Sequence, residues 1–476
     1  MTDKAEKILV VDLDGTVLCS DMLFESFWSA FGTDWRSPLL SVISLVKGRA
    51  ALKRHLAQAA EIEPATLPYN KQVLAYIEDW RLNHGRVVLV TASDQEIADR
   101  IALHLGAFDE VHGSDGKRNL KSKTKAQFLI ERYGEGKFAY IGDAEADVPV
   151  WKSAAKAITV NASSALRRKA ERACSNVEHL SSQASSLLPY LKALRPHQWL
   201  KNTLVFLPML AAHQWSGDTL LSSLLAFICF SLVASSVYVL NDLLDLSADR
   251  AHPRKRNRPF ASGSIPLSHG SVMVIGLISL GICLAALMGM AFLAVMLGYF
   301  VLTTAYSLHL KRRMVVDICV LAGLYTARIV AGGVATGIDL SVWLLAFSTF
   351  FFLSLAAVKR QAELIDSAAR GKLIASGRGY HVDDLPIISM VAIGAGYVSV
   401  LVMALYVNSP AVVKLYSRPE ALWGVSAVLL YWITRTVMVA HRGGMDDDPV
   451  VYAAKDRISQ ICVLLILGLV FGGAWL

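Results

Sequence analysis

Two patterns of apolar residues divide the chain. Up to about residue 190, short β-branched runs alternate with helical stretches that mix charged and apolar side chains, as in a folded α/β domain. From Leu200 to Leu476 long uncharged stretches dominate, and this region reads as membrane. In the first region, residues 7–11, 86–90 and 138–141 are strand candidates for a parallel sheet. Between the first two strands, residues 22 to about 81 form a helical insert in which Trp28, Phe31, Trp35, Leu39 and Leu40 suggest an apolar face. An insert there caps the strand ends, so a helical cap is expected over about residues 20–85. Residues 161–188, rich in Ala and Ser, lead to a linker, which gives domains of 1–190 and 191–476.

The second region divides into nine predicted spans, at 201–215, 219–241, 270–288, 290–308, 317–336, 342–360, 385–407, 421–440 and 458–476. Several approach the roughly 20 residues that a bilayer requires. The loops at 250–258, 311–313, 359–378 and 442–457 are basic, whereas those near Trp215, Gly289, Asp339 and Asn408 hold only Lys414 and Arg418. The positive-inside rule places the basic loops and the first domain on the cytoplasmic side of an inner membrane crossed many times. An odd span count would leave Leu476 outside. The apolar run Ile8 to Val11 is too short for a signal-peptide core, which agrees with a cytoplasmic first domain.

Composition narrows the classes. At 476 residues and 54% hydrophobic, the chain exceeds one domain, and its mean hydropathy of +0.44 excludes a wholly water-soluble protein. Its net charge of +8 lies between hydrophobic stretches instead of in a soluble patch, so it orients spans and no nucleic-acid partner is expected. Cys19, Cys174, Cys229, Cys283, Cys319 and Cys462 are scattered without a CxxC pair and read as buried thiols.

The segment from Asn241 to Arg250, NDLLDLSADR, closes the second predicted span. Asn241, Asp245 and Asp249 recur every four residues, so a helix stacks them on one face, with Asp242 beside them. Like charges stacked at membrane depth repel, and a divalent cation bridging them relieves that cost. Oxygen ligands from one helix leave room for waters and a substrate diphosphate, which suits Mg²⁺. Arg254 and Arg258 follow closely and would hold the remaining phosphate oxygens. Arg328 lies inside the fifth span, where a buried charge requires a partner, either substrate phosphate or a carboxylate. Tyr306, Lys311 and Asp317 flank the fourth and fifth spans. Residues Asp446 to Asp448 read as a solvated loop, which leaves Asp456 as the better site candidate there.

NDLLDLSADRAHPRKRNRPFASG resembles the first aspartate-rich motif of UbiA-superfamily prenyltransferases, NDxxDxxxD followed by RP-x-ASG. The resemblance covers roughly residues 195–476 and implies a helical bundle around a membrane-open cavity. The family's second motif, DxxxD, is replaced here by Lys359, Arg360 and Glu363 in KRQAE. With RPHQWLKN and the late DPVVYAAKDR, this pattern is similar to the decaprenyl-phosphate phosphoribosyltransferase branch. That branch implies transfer of phosphoribose from phosphoribosyl pyrophosphate to a polyprenyl phosphate, whose head Lys359 and Arg360 would neutralise. Positive-inside anchoring is the bland reading of those two cations. Two alternatives remain: prenylation of an aromatic or quinone ring by a prenyl diphosphate, and a non-catalytic lipid-phosphate carrier. A polyprenyl lipid and a phosphorylated or diphosphate donor are the expected partners, and a homo-oligomer is left open.

Asp12-Leu13-Asp14-Gly15-Thr16 follows the first strand candidate, so both carboxylates project from the strand's C-terminal end, where open α/β sheets bind ligands. DxDGT after such a run is the signature of the haloacid dehalogenase (HAD) superfamily. The supporting residues appear in order: Thr91 and Ser93, a lysine, then Asp143 and Asp147. The resemblance implies an aspartyl nucleophile at Asp12, an acid/base at Asp14, a phosphate hydroxyl at Thr91, a charge clamp at Lys125 with Lys121 as its rival, and Mg²⁺ held by Asp12, Asp14, Asp143 and Asp147. Phosphatase chemistry is expected, with loss of activity in a regulatory module as its counterpart. The fold expected overall is an α/β HAD-like, Rossmannoid domain with a helical cap, then an all-α polytopic UbiA-like domain.

Overall fold

The computed structural model describes residues 8–475 apart from 84, 116, 117, 181–185, 372, 374–378, 446 and 447. Asp446, Asp447, Leu476 and the end of the expected basic loop at 359–378 therefore lie outside the described residues. The chain separates into two compact units. One comprises residues 1–194 with 238–273, and the other comprises 195–237 with 274–476.

In the first unit, six parallel strands form one sheet in the order β3-β2-β1-β4-β5-β6. These are β1 (Ile8–Val11), β2 (Arg86–Asp94), β3 (Glu110–Ser114), β4 (Phe138–Gly142), β5 (Lys156–Val160) and β6 (Val177–Leu180). β1 lies in the centre because both of its faces are covered, and its unbroken apolar run suits that position. Leu9 and Val11 enter one core with Val87, Leu89 and Ile141, while Val10 enters the other with Val88, Val90 and Tyr140. Four helices join β1 to β2: α1 (Met22–Thr33), α2 (Ser37–Val46), α3 (Arg49–Ala59) and α4 (Lys71–Leu82). Asp21 caps α1 by accepting the Leu23 N–H, and Asn70 caps α4 through the Gln72 N–H. Of the apolar face expected in this insert, Trp28 is buried, whereas Trp35, Leu39 and Leu40 are exposed.

Among the described residues, eight helices are long and apolar enough to cross a membrane: Gly217–Leu244, Leu267–Leu287, Met290–Leu308, Val316–Thr336, Val342–Ala369, Val382–Val407, Ala421–His441 and Arg457–Ala474. The expected first span at 201–215 is corrected. It forms a 3₁₀ helix, Pro196–Phe206, followed by a five-residue α-helix, Leu207–Ala211. Pro196 and Pro208 remove backbone donors, and Lys201 and Asn202 carry polar groups into the protein interior, which a lipid-facing span would not tolerate. The segment instead lies against Val316–Thr336, where Gly332 leaves room for the Val205 carbonyl. The odd count that placed Leu476 outside therefore loses its basis. All six cysteines are free; Cys174, Cys229 and Cys462 are buried, but Cys283 and Cys319 lie on outward helix surfaces, contrary to the expectation that all are buried.

Candidate functional sites

The strand ends of the first unit gather the DxDGT residues. Asp12 leaves β1, its N–H bonded to the Ile141 carbonyl, and its Oδ1 accepts from the Leu13 N–H at 2.8 Å. Lys125 is buried and reaches Asp12 Oδ1 at 2.9 Å and the Tyr140 hydroxyl at 3.0 Å, whereas Lys121 is exposed. Tyr140 donates to Asp147 Oδ1 at 2.7 Å, and the other Asp147 oxygen accepts the backbone N–H of Asp143 and Ala144. Gly15, at a φ of 73°, lies where any side chain would meet the Asp143 carboxylate.

Ligand oxygens of Asp12, Asp143 and Asp147 lie within 4.8 Å of one another. Burial, then the charges of Asp147 and Asp12, push Asp143 well above the usual carboxylate range; burial and Asp12 push Asp147 up to about 6. Three carboxylates packed this way fit a hard divalent cation such as Mg²⁺, which would relieve their repulsion. Asp14, expected among the metal residues, is not in this group. Its Oδ1 accepts the Met22 N–H at 2.8 Å and its Oδ2 the Ser93 hydroxyl at 2.7 Å. Burial, then Asp21 and Asp12, raise it to about 7, the state of a carboxyl able to give up a proton near neutrality. Thr91 is buried and accepts the Ser93 N–H, which orients this strand end. Lys53 of α3, not among the expected site residues, brings its ammonium to the Ala92 carbonyl at 2.6 Å, between Thr91 and Ser93. Its signal was absent because α3 reads as an ordinary basic helix.

The aspartate-rich segment belongs to the same unit. The helix Gly217–Leu244 stops immediately before Asp245, and a short helix, Leu246–Ala251, continues from it. Backbone bonds from Asp245 to Asn241 and from Asp249 to Asp245 preserve the four-residue repeat through that break. Arg258 NH1 bonds Asp249 at 2.6 Å and Asp242 at 3.2 Å, so it lies across two buried acids. Burial raises Asp249, and Arg258 works against that rise. Among the described residues, Asp12, Asp143 and Asp147 are the only His, Cys, Asp or Glu group of three at metal-ligand spacing. The acids of the NDLLDLSADR segment hold a guanidinium, although their oxygen donors are of the type that takes Mg²⁺ with a diphosphate. Asn241 and Asp245 are half-buried, and Arg254 is exposed. Arg250, next to Asp249, makes a bidentate pair with Glu25 of α1 at 2.7 and 3.0 Å, both side chains being buried.

The second unit separates the two cations that replace the family's second motif. Arg360 is fully buried and pairs with Asp317 at 2.6 Å and with Glu363; Tyr306 also donates to Asp317 at 2.7 Å. Those groups form an ion network that Arg360 and Glu363 serve together. Lys359 instead faces Asp448 at 3.3 Å, and Asp448 also takes Lys201 at 2.5 Å. Asp448 is buried, which corrects the solvated-loop expectation; despite that burial, Lys359 and Lys201 hold its carboxyl well below the usual range. Arg328 is buried with neutral partners: Asn202 at 2.9 Å, the Tyr299 hydroxyl at 2.9 Å and the Leu324 carbonyl. Lys201 and Arg328 each lie 5.7 Å from the Tyr325 ring centre, so both approach one aromatic side chain. Asp456 is closed by Arg435 at 2.7 Å and by Ser459, which hold it at about 2 despite partial burial. Lys311 is half-buried on the turn Leu310–Arg312.

The model of the UbiA prenyltransferase family matches residues 202–455, and that of the haloacid dehalogenase-like hydrolases matches residues 9–152. An uncharacterized protein of Sinorhizobium fredii is 38% identical over 461 residues, 96% of this chain and 89% of its own. Nodulation protein NoeC of Azorhizobium caulinodans is 41% identical over 60% of this chain and 93% of its own length. A decaprenyl-phosphate phosphoribosyltransferase of Mycolicibacterium smegmatis is 34% identical over 58% of this chain and 90% of its own length. The membrane helices, the NDLLDLSADR segment and these matches agree: the chain belongs to the UbiA prenyltransferase family and carries an N-terminal haloacid dehalogenase-like domain.

Proposed function

We propose that the chain is a Mg²⁺-dependent inner-membrane transferase that moves 5-phosphoribose from phosphoribosyl pyrophosphate to a polyprenyl phosphate and releases diphosphate. The observation that carries this reading is the cluster of buried Lys201 and Arg328 with half-buried Lys359, for which Asp448 is the one bonded carboxylate among the described residues. Buried cations in excess of their counter-charges call for an anion, and a phosphate monoester supplies one with three acceptor oxygens. Ring prenylation by a prenyl diphosphate requires no phosphorylated acceptor. The likeness to a decaprenyl-phosphate phosphoribosyltransferase supports the same choice.

In this reading Asn241, Asp242, Asp245 and Asp249 would hold Mg²⁺, which would supply charge neutralisation at the leaving diphosphate, and Arg254 and Arg258 would take its free oxygens. Lys359 and Lys201 orient the acceptor, Asp448 keeps their ammonium groups in place, and Arg360 with Glu363 and Asp456 with Arg435 brace the helices. Incubating membranes with Mg²⁺, polyprenyl phosphate and labelled phosphoribosyl pyrophosphate tests it: labelled lipid is expected with the wild type and not with Asp245→Asn. Label in neither sinks the assignment.

The cytoplasmic N-terminal domain reads as an active phosphatase. Lys125 holds the Asp12 carboxylate for attack on phosphorus, Asp14 carries the proton that the leaving oxygen takes up, and Asp12, Asp143 and Asp147 hold Mg²⁺, which supplies charge neutralisation at the phosphoryl group. Its proposed substrate is the phosphoribosyl lipid made by the same chain, since fusion raises the effective concentration of one site for the other's product. If Asp12→Asn releases phosphate from that lipid at the wild-type rate, the idea fails.

A further inference from the structure

Helix α2 is built inside out for a surface helix in water. Ser37 and Ser41 face the protein, buried, and among the described residues their hydroxyls find no hydrogen-bond partner. The outward positions are Leu39, Leu40, Val42, Ile43, Leu45 and Val46, between 43% and 84% exposed, with Trp35 just ahead at 54%. A helix lying on a water-soluble domain does the opposite, burying its apolar stripe and wetting its polar one. Contiguous apolar surface of this kind marks a binding face. Arg36 and Lys47, both exposed, bracket the helix, as cations bracket helices that lie in a membrane interface.

The occupant follows from where the helix starts. Glu25 of α1 holds Arg250, which lies six residues beyond Leu244, the last residue of the spanning helix Gly217–Leu244. Gly32 of α1 comes so close to the same helix end that an added Cβ would lie 3.1 Å from the Leu244 carbonyl. Ser37 follows Gly32 by five positions, a reach of about 17 Å at most. α2 therefore begins close to the point where a spanning helix leaves the bilayer, within reach of the lipid headgroups there.

We infer that α2 lies in the membrane surface with its apolar face in the headgroup–acyl boundary, and that the hydrolase site therefore takes a phosphate monoester carried by a lipid. α3 packs against α2 and its Lys53 reaches the Ala92 carbonyl between Thr91 and Ser93, so a cap held by lipid sets the phosphate site at the membrane. The substrate part rests on the phosphatase reading above; the docking part does not.

Full-length protein with its native cysteines replaced is reconstituted into phosphatidylcholine–phosphatidylglycerol vesicles and labelled with an environment-sensitive fluorophore at Leu39→Cys or Ile43→Cys. Asp99→Cys, on an exposed helix face, is the control. Lipids brominated on their acyl chains should quench the labels at 39 and 43 and leave that at 99 unchanged. Absence of quenching at 39 and 43 overturns the docking, as does energy transfer between copies without quenching, which would assign the face to a second chain. The paired Leu39→Glu, Ile43→Glu variant should lower the ratio of vesicle-borne prenyl phosphate hydrolysis to p-nitrophenyl phosphate hydrolysis by about tenfold. An unchanged ratio overturns the substrate class. If the wild type hydrolyses neither compound, the phosphatase reading falls with the substrate class, while the quenching still decides the docking.

Discussion

The two acidic motifs of this chain are equally plain in the sequence and are arranged differently in space. At the hydrolase-like site, Asp12, Asp143 and Asp147 converge on one another, with Lys125 as the nearby cation. At the end of the spanning helix, Asp242 and Asp249 converge on Arg258. Carboxylates from separate strand ends and loops can close around a small ion. Carboxylates from one helix line up along it, and their remaining neighbours come from the loop that follows. The first arrangement has its metal-ligand spacing built in, whereas in the second a guanidinium lies between two of the acids.

The largest effect expected from this difference is at Asp12. Asp12→Asn should lower phosphate release from p-nitrophenyl phosphate by about 10³-fold or more, because it removes the proposed nucleophile. A loss below tenfold would make the converged acids structural. Next comes Arg250→Ala, which leaves Glu25 buried without its partner and should cost about 3–5 kcal/mol, read as a lower unfolding temperature of the detergent-solubilised protein. An unchanged midpoint would show that this ion pair does not hold the acidic segment to α1.

A smaller effect separates the two cations of KRQAE. Lys359→Met should raise the KM for polyprenyl phosphate about tenfold with little change in kcat, since Asp448 keeps Lys201. Arg360→Met should instead lower stability, because it strips Asp317 of its guanidinium. Equal KM effects from both would merge two environments that the structure keeps apart.

The smallest effect contrasts carboxyls raised by burial with one lowered by its partners. Burial and like charges raise Asp14, Asp143 and Asp147, whereas Glu110, despite some burial, is held at about 2 by hydrogen bonds from His112, Arg132 and Tyr133. A depressed carboxyl contributes stability that is present above its unfolded value near 4.5 and lost as pH falls toward 2. Glu110→Gln should therefore narrow the gap in unfolding temperature between pH 7 and pH 3. An unchanged gap would remove Glu110 from the acid-sensitive set.

What the sequence made legible was local. DLDGT, NDLLDLSADR and the β-branched runs carry their meaning in spacings of one to four residues, so three of the six strands, the parallel sheet and both acidic motifs could be read directly, whereas β3, β5 and β6 were not. The rest depends on distant partners. Asp448 lies 247 residues from Lys201, and nothing in its DDDP surroundings distinguishes a buried counter-ion from a solvated loop. Lys359 and Arg360 are neighbours in sequence, yet a helix turns consecutive side chains about 100° apart, which sends one to Asp448 and the other to Asp317. The stretch at 201–215 has the composition of a span but not its backbone, because Pro208 and buried Lys201 and Asn202 favour a broken segment. In α2 the apolar face was visible, but its outward direction was not.

In the proposed reading one chain first builds a phosphoribosyl lipid and then removes its phosphate. The most direct test uses phosphoribosyl pyrophosphate labelled with ¹⁴C in the ribose and ³²P in the 5-phosphate, supplied with Mg²⁺ and polyprenyl phosphate to membranes containing the full chain. Asp12→Asn should accumulate lipid carrying both labels in equal amounts, the wild type should retain ¹⁴C and lose ³²P, and Asp245→Asn should form neither product. Equal retention of both labels by the wild type, or the absence of ¹⁴C lipid in every case, would contradict that reading.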